Sequence, residues 1–128
     1  MLSEEYRKGL VLDKGYNCAE KVLNLSNEVL DLGLSDQALK VAGGFGGGMG
    51  IGHICGALVG AVMVLSLRHV ETVGNQSDIK SIEKEFLKKV EEKLGSLMCR
   101  DLLKQYHTPE RKCEFIIESV LEKLDEYV

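Results

Sequence analysis

The sequence predicts an all-α fold, a single-domain bundle of five to seven helices around a central Gly-rich apolar helix. Three observations point there. Only 1 Pro interrupts the 128 residues, which leaves room for long helices. Capping residues and glycines recur at helix-length intervals along the chain. No stretch alternates apolar and polar residues over a useful length, so strands lack their periodic signal.

The elements follow in order. An amphipathic segment is predicted from Ser3 to about Lys14, with Ser3 as N-cap, Glu4 and Glu5 in the first turn and Gly15 as its stop. Asn17 opens a second helix, and Glu20 three residues later completes a capping-box pattern. Cys18, Val22, Leu25 and Val29 follow helical spacing on its buried stripe, and Gly33 closes it as the C′ residue. Ser35 caps a third helix through Asp36, Ala38, Leu39 and Val41, which dissolves into AGGFGGGMGIG. A fourth, apolar helix is predicted from about His53–Cys55 to Glu71. Ser77 caps a fifth with Ile79, Ile82, Phe86, Val90 and Leu94 on one face and a charged, solvated face opposite, and Gly95 stops it. Ser96 caps a short helix carrying Cys99, Leu102, Leu103 and Tyr106. Thr108 as N-cap and Pro109 at N1 then predict the start of the last helix, which buries Cys113, Ile116, Ile117, Val120, Leu121 and Leu124. The four Met are assigned to the core with the Leu and Val stripes.

Residues 41–67 carry no charge, which meets the length test for a membrane span. Nine of them are glycine, however, and the uninterrupted apolar part, Ala57–Leu67, is too short for a ~30 Å hydrocarbon core. A buried central helix is therefore expected, with no membrane span. Gly52, Gly56 and Gly60 are spaced to form a small-residue ridge, which suits core packing, a homodimer seam or close approach to a cofactor. The segment has no nucleotide motif: neither GxGxxG nor GxxxxGK[ST] occurs, and no cation lies between Lys40 and Arg68.

Lys and Arg number 16 against 20 Asp and Glu, a net charge of −4, so the basic footprint that nucleic-acid binding needs is lacking. The N-terminal stretch MLSEEYRKGLVLDK has no apolar core of signal-peptide length, and a cytoplasmic protein with reduced thiols is expected. The 4 Cys stand at 18, 55, 99 and 113. No CxxC occurs, which leaves a thioredoxin-type dithiol, a zinc knuckle and a haem attachment motif unsupported. If the thiols cooperate, folding has to bring them together.

Their positions carry the signal. The predicted caps put Cys18 at N1 of its helix, Cys99 at about N3, Cys113 at about N5 and Cys55 in the first turn after the glycines. Helix N-termini stabilise a thiolate through the macrodipole and free N–H groups, and Lys21, Arg100, Arg111 and Lys112 lie close in sequence. Depressed pKa values are expected for at least one pair. Each cysteine alone also reads as a small buried hydrophobe. His53, two residues before Cys55, reads as a ligand, a base or a helix-entry residue bonded through its backbone. His107 is a loop residue with some ligand character, His69 a helix-end residue, and Tyr16 a packing residue at N′.

The combined pattern resembles the redox-active family named for the cysteine signature C_GCAxxG_C_C. The residues that carry it are Tyr16-Asn17-Cys18-Ala19, the glycine run Gly43–Gly50, Cys55-Gly56-Ala57-Leu58-Val59-Gly60, the stretch Ser96–Leu103 around Cys99, and Cys113. The likeness covers about Tyr16 to Leu121, and residues 55–60 match a CGAxxG segment letter for letter. It implies a small protein with four characteristic cysteines and a redox role. Similar domains occur joined to haem-carrying segments; with no attachment motif here, that part does not carry over.

Three functions remain open. Cys18, Cys55, Cys99 and Cys113 could hold a metal, either Zn or an iron–sulfur cluster, for electron transfer with a redox partner the sequence does not name. Backbone N–H groups at Gly52 and Gly56 would then bind the cofactor's sulfurs. A thiol–disulfide enzyme would pair Cys99 with Cys113, and Cys18 with Cys55. An interaction module would use all four as core and dimerise through the glycine ridge.

Overall fold

The computed structural model describes residues 1–12 and 14–128. Among them the chain forms seven α-helices: α1 (Leu2–Arg7), α2 (Cys18–Leu30), α3 (Asp36–Lys40), α4 (Gly56–His69), α5 (Ile79–Leu94), α6 (Cys99–Tyr106) and α7 (Glu114–Leu124). The all-α bundle is thus observed, and α4 is its centre. This helix buries Gly56, Ala57, Leu58, Gly60, Ala61, Val64 and Leu65, and packs against α2, α5 and α7. None of the helices among the described residues is long and apolar enough to cross a membrane.

The α2–α4 contact is the most extensive in the bundle, and glycine lets the two helices come close. A Cβ on Gly60 would lie 2.8 Å from the Ala19 carbonyl oxygen, and one on Gly56 would lie 2.8 Å from that of Phe45. The ridge is therefore used within the chain, where α2 and the glycine-rich segment pack on Gly56 and Gly60. Gly52 is not part of it: that residue sits in the turn before α4, at φ +73°, against the stem of Arg100.

Between α3 and α4 the chain makes a short 3₁₀ turn, Val41–Phe45, and then four consecutive residues with positive φ, Gly47, Gly48, Met49 and Gly50. Such a run explains the glycine density, because residues with a Cβ rarely adopt this region. At Gly48 a side chain would also strike the His53 backbone and Cys99 Cβ. Met49 is half exposed on the turn and Met1 is exposed at the chain start, so these two are not core as their hydrophobicity implied.

Several helix starts differ from the cap readings. Ser3 lies inside α1, not at its cap; the carboxylate of Asp125, just past α7, accepts from the Leu2 and Ser3 amides and the Ser3 hydroxyl. The first helix ends at Arg7 and turns at Gly9, φ +87°, well before Lys14; Asp13, within the predicted span, lies outside the described residues. Asp31, not Gly33, takes the left-handed position that ends α2. The predicted fourth helix is trimmed at both ends, to Gly56–His69. The Asn17–Glu20 capping box, the Ser35 cap and the Gly95 stop are all present.

α5 buries Ile79, Phe86, Val90 and Leu94. Its charged face pairs in part with α7, through Lys93–Glu122 at 2.7 Å, and with the turn after it, through Lys89–Glu126 at 3.1 Å. Such exposed pairs contribute little to stability, typically below about 1 kcal/mol each. The apolar stripe holds the helix.

Candidate functional site

Each cysteine stands where a helix begins, more tightly than the caps predicted. Cys18 is the first residue of α2 and Cys99 the first of α6; Cys55 and Cys113 are the N-caps of α4 and α7. Cys99 moves from N3 to N1 because Ser96 caps a turn instead, accepting from the Met98 amide and donating to Asp101. Cys113 moves from N5 to N-cap because Thr108–Lys112 forms its own tight turn, in which Thr108 accepts from the amides of Arg111 and Lys112. Lys112 closes that turn in the left-handed region, at φ +52°, and so sets the approach of Cys113 to α7.

Two local ties bring these starts together. An isolated antiparallel bridge joins Ile54 to Met98: the Cys55 amide donates to the Leu97 carbonyl at 2.9 Å, and the Cys99 amide donates to that of His53 at 2.6 Å. Cys55 and Cys99 therefore leave the same bridge into neighbouring helices. On the other side, the Asn17 side chain donates to the Gly43 carbonyl and anchors the start of α2 on the glycine-rich segment. Cys55 and Cys99 are buried, and Cys18 and Cys113 half-buried; all four are free thiols.

The thiols sense one another. Charge on Cys113 acts on Cys18, Cys55 and Cys99, charge on Cys55 acts on Cys18, and charge on Cys99 acts on Cys55. Cys18 and Cys113 form the most strongly interacting pair. Hydrogen bonding to Cys113, then burial, raises the Cys18 thiol; accepting from Cys18 lowers Cys113, with His107 and Lys21 adding to the effect against burial. The proton is held more tightly at Cys18 than at Cys113. Burial pushes Cys55 up to about 11, although the Leu58 and Ala57 amides face its sulfur and offset part of that cost. Burial also raises Cys99.

The expected depressed pair is therefore a single depressed thiol, Cys113. Desolvation outweighs the helix N-terminus at the two buried positions, as it does for charged forms generally. Cys113 acts on Cys99, its nearest cysteine in sequence, as well as on Cys18, and its interaction with Cys18 is the stronger. The sulfur-facing amides are those of Ala57 and Leu58; Gly52 and Gly56 instead give room to Arg100 and to Phe45 and Ala19. His53 is exposed, and its backbone holds the turn by donating to Gly48 and accepting from Cys99. His107 is exposed but close enough to act on Cys113. Tyr16 packs partly buried against the core just before α2, as its position implied.

Tyr6 was not legible as a site residue. It reaches the centre from α1, and no spacing in the sequence connects it with the cysteines. Its hydroxyl is buried, has no hydrogen-bond partner among the described residues, and feels charge on both Cys18 and Cys113. Among the described residues, no three His, Cys, Asp or Glu side chains stand in an arrangement that would grip a single metal ion.

The chain is 35% identical over 72 residues to an uncharacterized protein of Archaeoglobus fulgidus, a match covering 56% of this chain and 48% of that one. The chain spans about half the length of the curated relative it matches. No solved structure matches it. Residues 16–127, which include all four cysteines and the glycine-rich segment, match the family model described as "Putative redox-active protein (C_GCAxxG_C_C)", and the chain belongs to that family.

Proposed function

We propose that Cys18, Cys55, Cys99 and Cys113 form one redox centre, and that they hold an iron–sulfur cluster used in electron transfer. The observation that carries this reading is the convergence of four thiols from four helix N-termini, each acting on or acted on by another. Four thiolates are the usual donor set for such clusters. Helix N-termini offset part of the negative charge they bring, and amides facing a sulfur tune its potential. Zn²⁺ has no redox chemistry and fits the family's description less well.

The cluster, when bound, would supply one-electron chemistry; the chain supplies ligands, burial and amide dipoles. Anaerobic purification with iron, zinc and sulfide analysis and an absorption spectrum tests the reading. Iron and sulfide in similar amounts are expected, with the visible absorption lost on Cys→Ser substitution. A colourless protein that stays metal-free after reconstitution would overturn it.

One observation favours a second reading, thiol–disulfide exchange. The lowered Cys113 beside the raised Cys18 is the asymmetry of an attacking thiolate and its proton-holding partner. Oxidation would join the two sulfurs and pass two electrons and the one proton of the pair to a disulfide acceptor, whose S–S bond breaks to give one thiol and one thiolate. Mass spectrometry of redox-titrated protein should then show a Cys18–Cys113 disulfide; thiols unchanged across physiological potentials would remove this reading. If neither chemistry is found and serine at all four positions only lowers stability, the cysteines are structural.

A further inference from the structure

The turn Gly47–Gly52 lies against Cys99 on one side and faces solvent on the other. On the inside, a Cβ on Gly48 would stand 2.9 Å from Cys99 Cβ, so backbone alone covers that residue there. On the outside, Met49 is 48% and Ile51 70% exposed, and both lie outside the hydrophobic core. Met49 is also the one residue with a side chain in a run of four left-handed positions, at φ +60°. Glycine holds that conformation at lower cost, so the fold itself gains nothing from a methionine there. Two exposed apolar side chains, one kept at a backbone cost, mark a contact surface beside the cysteines.

The charge around the turn selects the partner. Residues 41–67 supply none. Arg100 lays its stem on Gly52, whose Cβ would be 3.2 Å from that of Arg100, and Lys104 follows one helical turn later on the same side of α6. Both are exposed, and among the described residues neither enters an ion pair. The carboxylate of α6, Asp101, accepts from the Ser96 hydroxyl, and Glu20, beside Gly43, accepts from the Asn17 amide. A chain of net charge −4 thus sets an apolar tip next to two unpaired cations.

We propose that Met49, Ile51, Arg100 and Lys104 form the docking surface for an acidic one-electron carrier protein. The inference rests on the reading of the four cysteines as a redox centre. Apolar side chains make the core of such a contact, and cations at its rim steer a partner whose carboxylates face them. The excess of carboxylates elsewhere on the chain repels the same partner, which fixes its orientation. The tip is small, in keeping with electron-transfer encounters, which bury less surface than lasting complexes. Electron exchange falls steeply with distance, and docking here leaves only the backbone of the turn between the carrier and Cys99. A second copy meeting this face with its own would oppose like charges. Two side chains bury less hydrocarbon than a single acyl chain, which itself binds a membrane only marginally.

The test is calorimetric titration of the full chain with a flavodoxin, an acidic one-electron carrier, across a range of salt concentrations. Wild type should bind, with affinity falling as salt rises. Met49→Gly with Ile51→Ser, and separately Arg100→Glu with Lys104→Glu, should each weaken binding by roughly tenfold or more. The first pair relieves the backbone at Met49, so its unfolding midpoint should be unchanged or higher, which separates contact from fold. Carbodiimide cross-linking should join Lys104 to a carrier carboxylate. Absence of binding, variants that bind like wild type, equal binding of a basic cytochrome c, or binding to phosphatidylglycerol vesicles in place of the carrier would each overturn the proposal. A chain that binds the carrier at this face yet carries no cluster would defeat the cluster reading and leave the surface standing. A cluster-bearing chain indifferent to both variant pairs would do the reverse.

Discussion

The Cys18 thiol, at the first turn of α2, and the Cys113 sulfur, at the cap of α7, act on each other more strongly than any other two of the four thiols, although they stand 95 positions apart in sequence. Their mutual interaction raises Cys18 and lowers Cys113, and His107 and Lys21 add to the lowering of Cys113. This asymmetry makes the four thiols chemically distinct, although each begins a helix.

In the reduced, metal-free protein, Cys113 should therefore be the first thiol to react with iodoacetamide near neutral pH. Cys55 and Cys99 should lag, being buried and raised. Cys18→Ala removes the donor and should return Cys113 toward the free-thiol value of about 8.5, slowing its labelling at pH 7 by roughly tenfold. Peptide mapping after timed alkylation checks the order. Faster labelling of Cys55 than of Cys113 would refute it.

Cys55 predicts an alkaline instability. Its folded pKa lies above that of an exposed thiol, so above the free-thiol value the unfolded chain loses this proton first and gains stability relative to the fold. The stabilisation is complete below about pH 8.5 and is lost as the pH rises toward 11. A shift of this size corresponds to about 2–3 kcal/mol. Urea unfolding of the reduced, metal-free protein between pH 8 and 11 should show the loss, and Cys55→Ala should flatten it.

Gly60→Ala should destabilise the bundle. Helix propensity favours alanine by about 1 kcal/mol, but the new Cβ would meet the Ala19 backbone carbonyl at 2.8 Å, and backbone cannot step aside as a side chain can. Overpacking of this kind costs about 1–3 kcal/mol. Gly44→Ala, with nothing within 4 Å of its Cβ, is the control and should change stability by less than about 0.5 kcal/mol. Equal midpoints for the two variants would mean that α2 and α4 are not held in close contact.

Asp125→Ala should release α1. The carboxylate accepts from the Leu2 amide at 2.7 Å and the Ser3 hydroxyl at 2.7 Å, and stands 3.5 Å from the Met1 amino group. Losing a cap of this kind costs about 1–2 kcal/mol, and Asp125→Asn, which keeps an acceptor, should cost less. Denaturant midpoints check both. No loss in the alanine variant would show that α1 is held by Leu2 and Tyr6 packing alone.

The sequence by itself determined the helical class, the central apolar helix, the apolar faces of α2, α5 and α7, and the placement of every cysteine at a helix start. These follow from local physics: caps, glycine stops and apolar periodicity act within a turn or two of chain. Where the cap reading failed, the partner was distant or the turn was irregular. Asp125 caps a helix at the other end of the chain, and the Thr108–Lys112 turn delays α7 until Cys113 becomes its cap.

Tertiary structure decided which thiols meet and what their environments do to them. The Ile54–Met98 bridge places Cys55 beside Cys99, and the packing of α2 near α7 places Cys18 against Cys113. Burial then raises Cys55 and Cys99 despite their favourable helix ends, because desolvation depends on everything packed around a sulfur and not on its neighbours in sequence. The same is true of the glycine ridge, which spacing left open to a partner and α2 fills. Tyr6 belongs to this second kind of information: the packing of α1 against α2 and α7 buries its hydroxyl, which no local spacing implies.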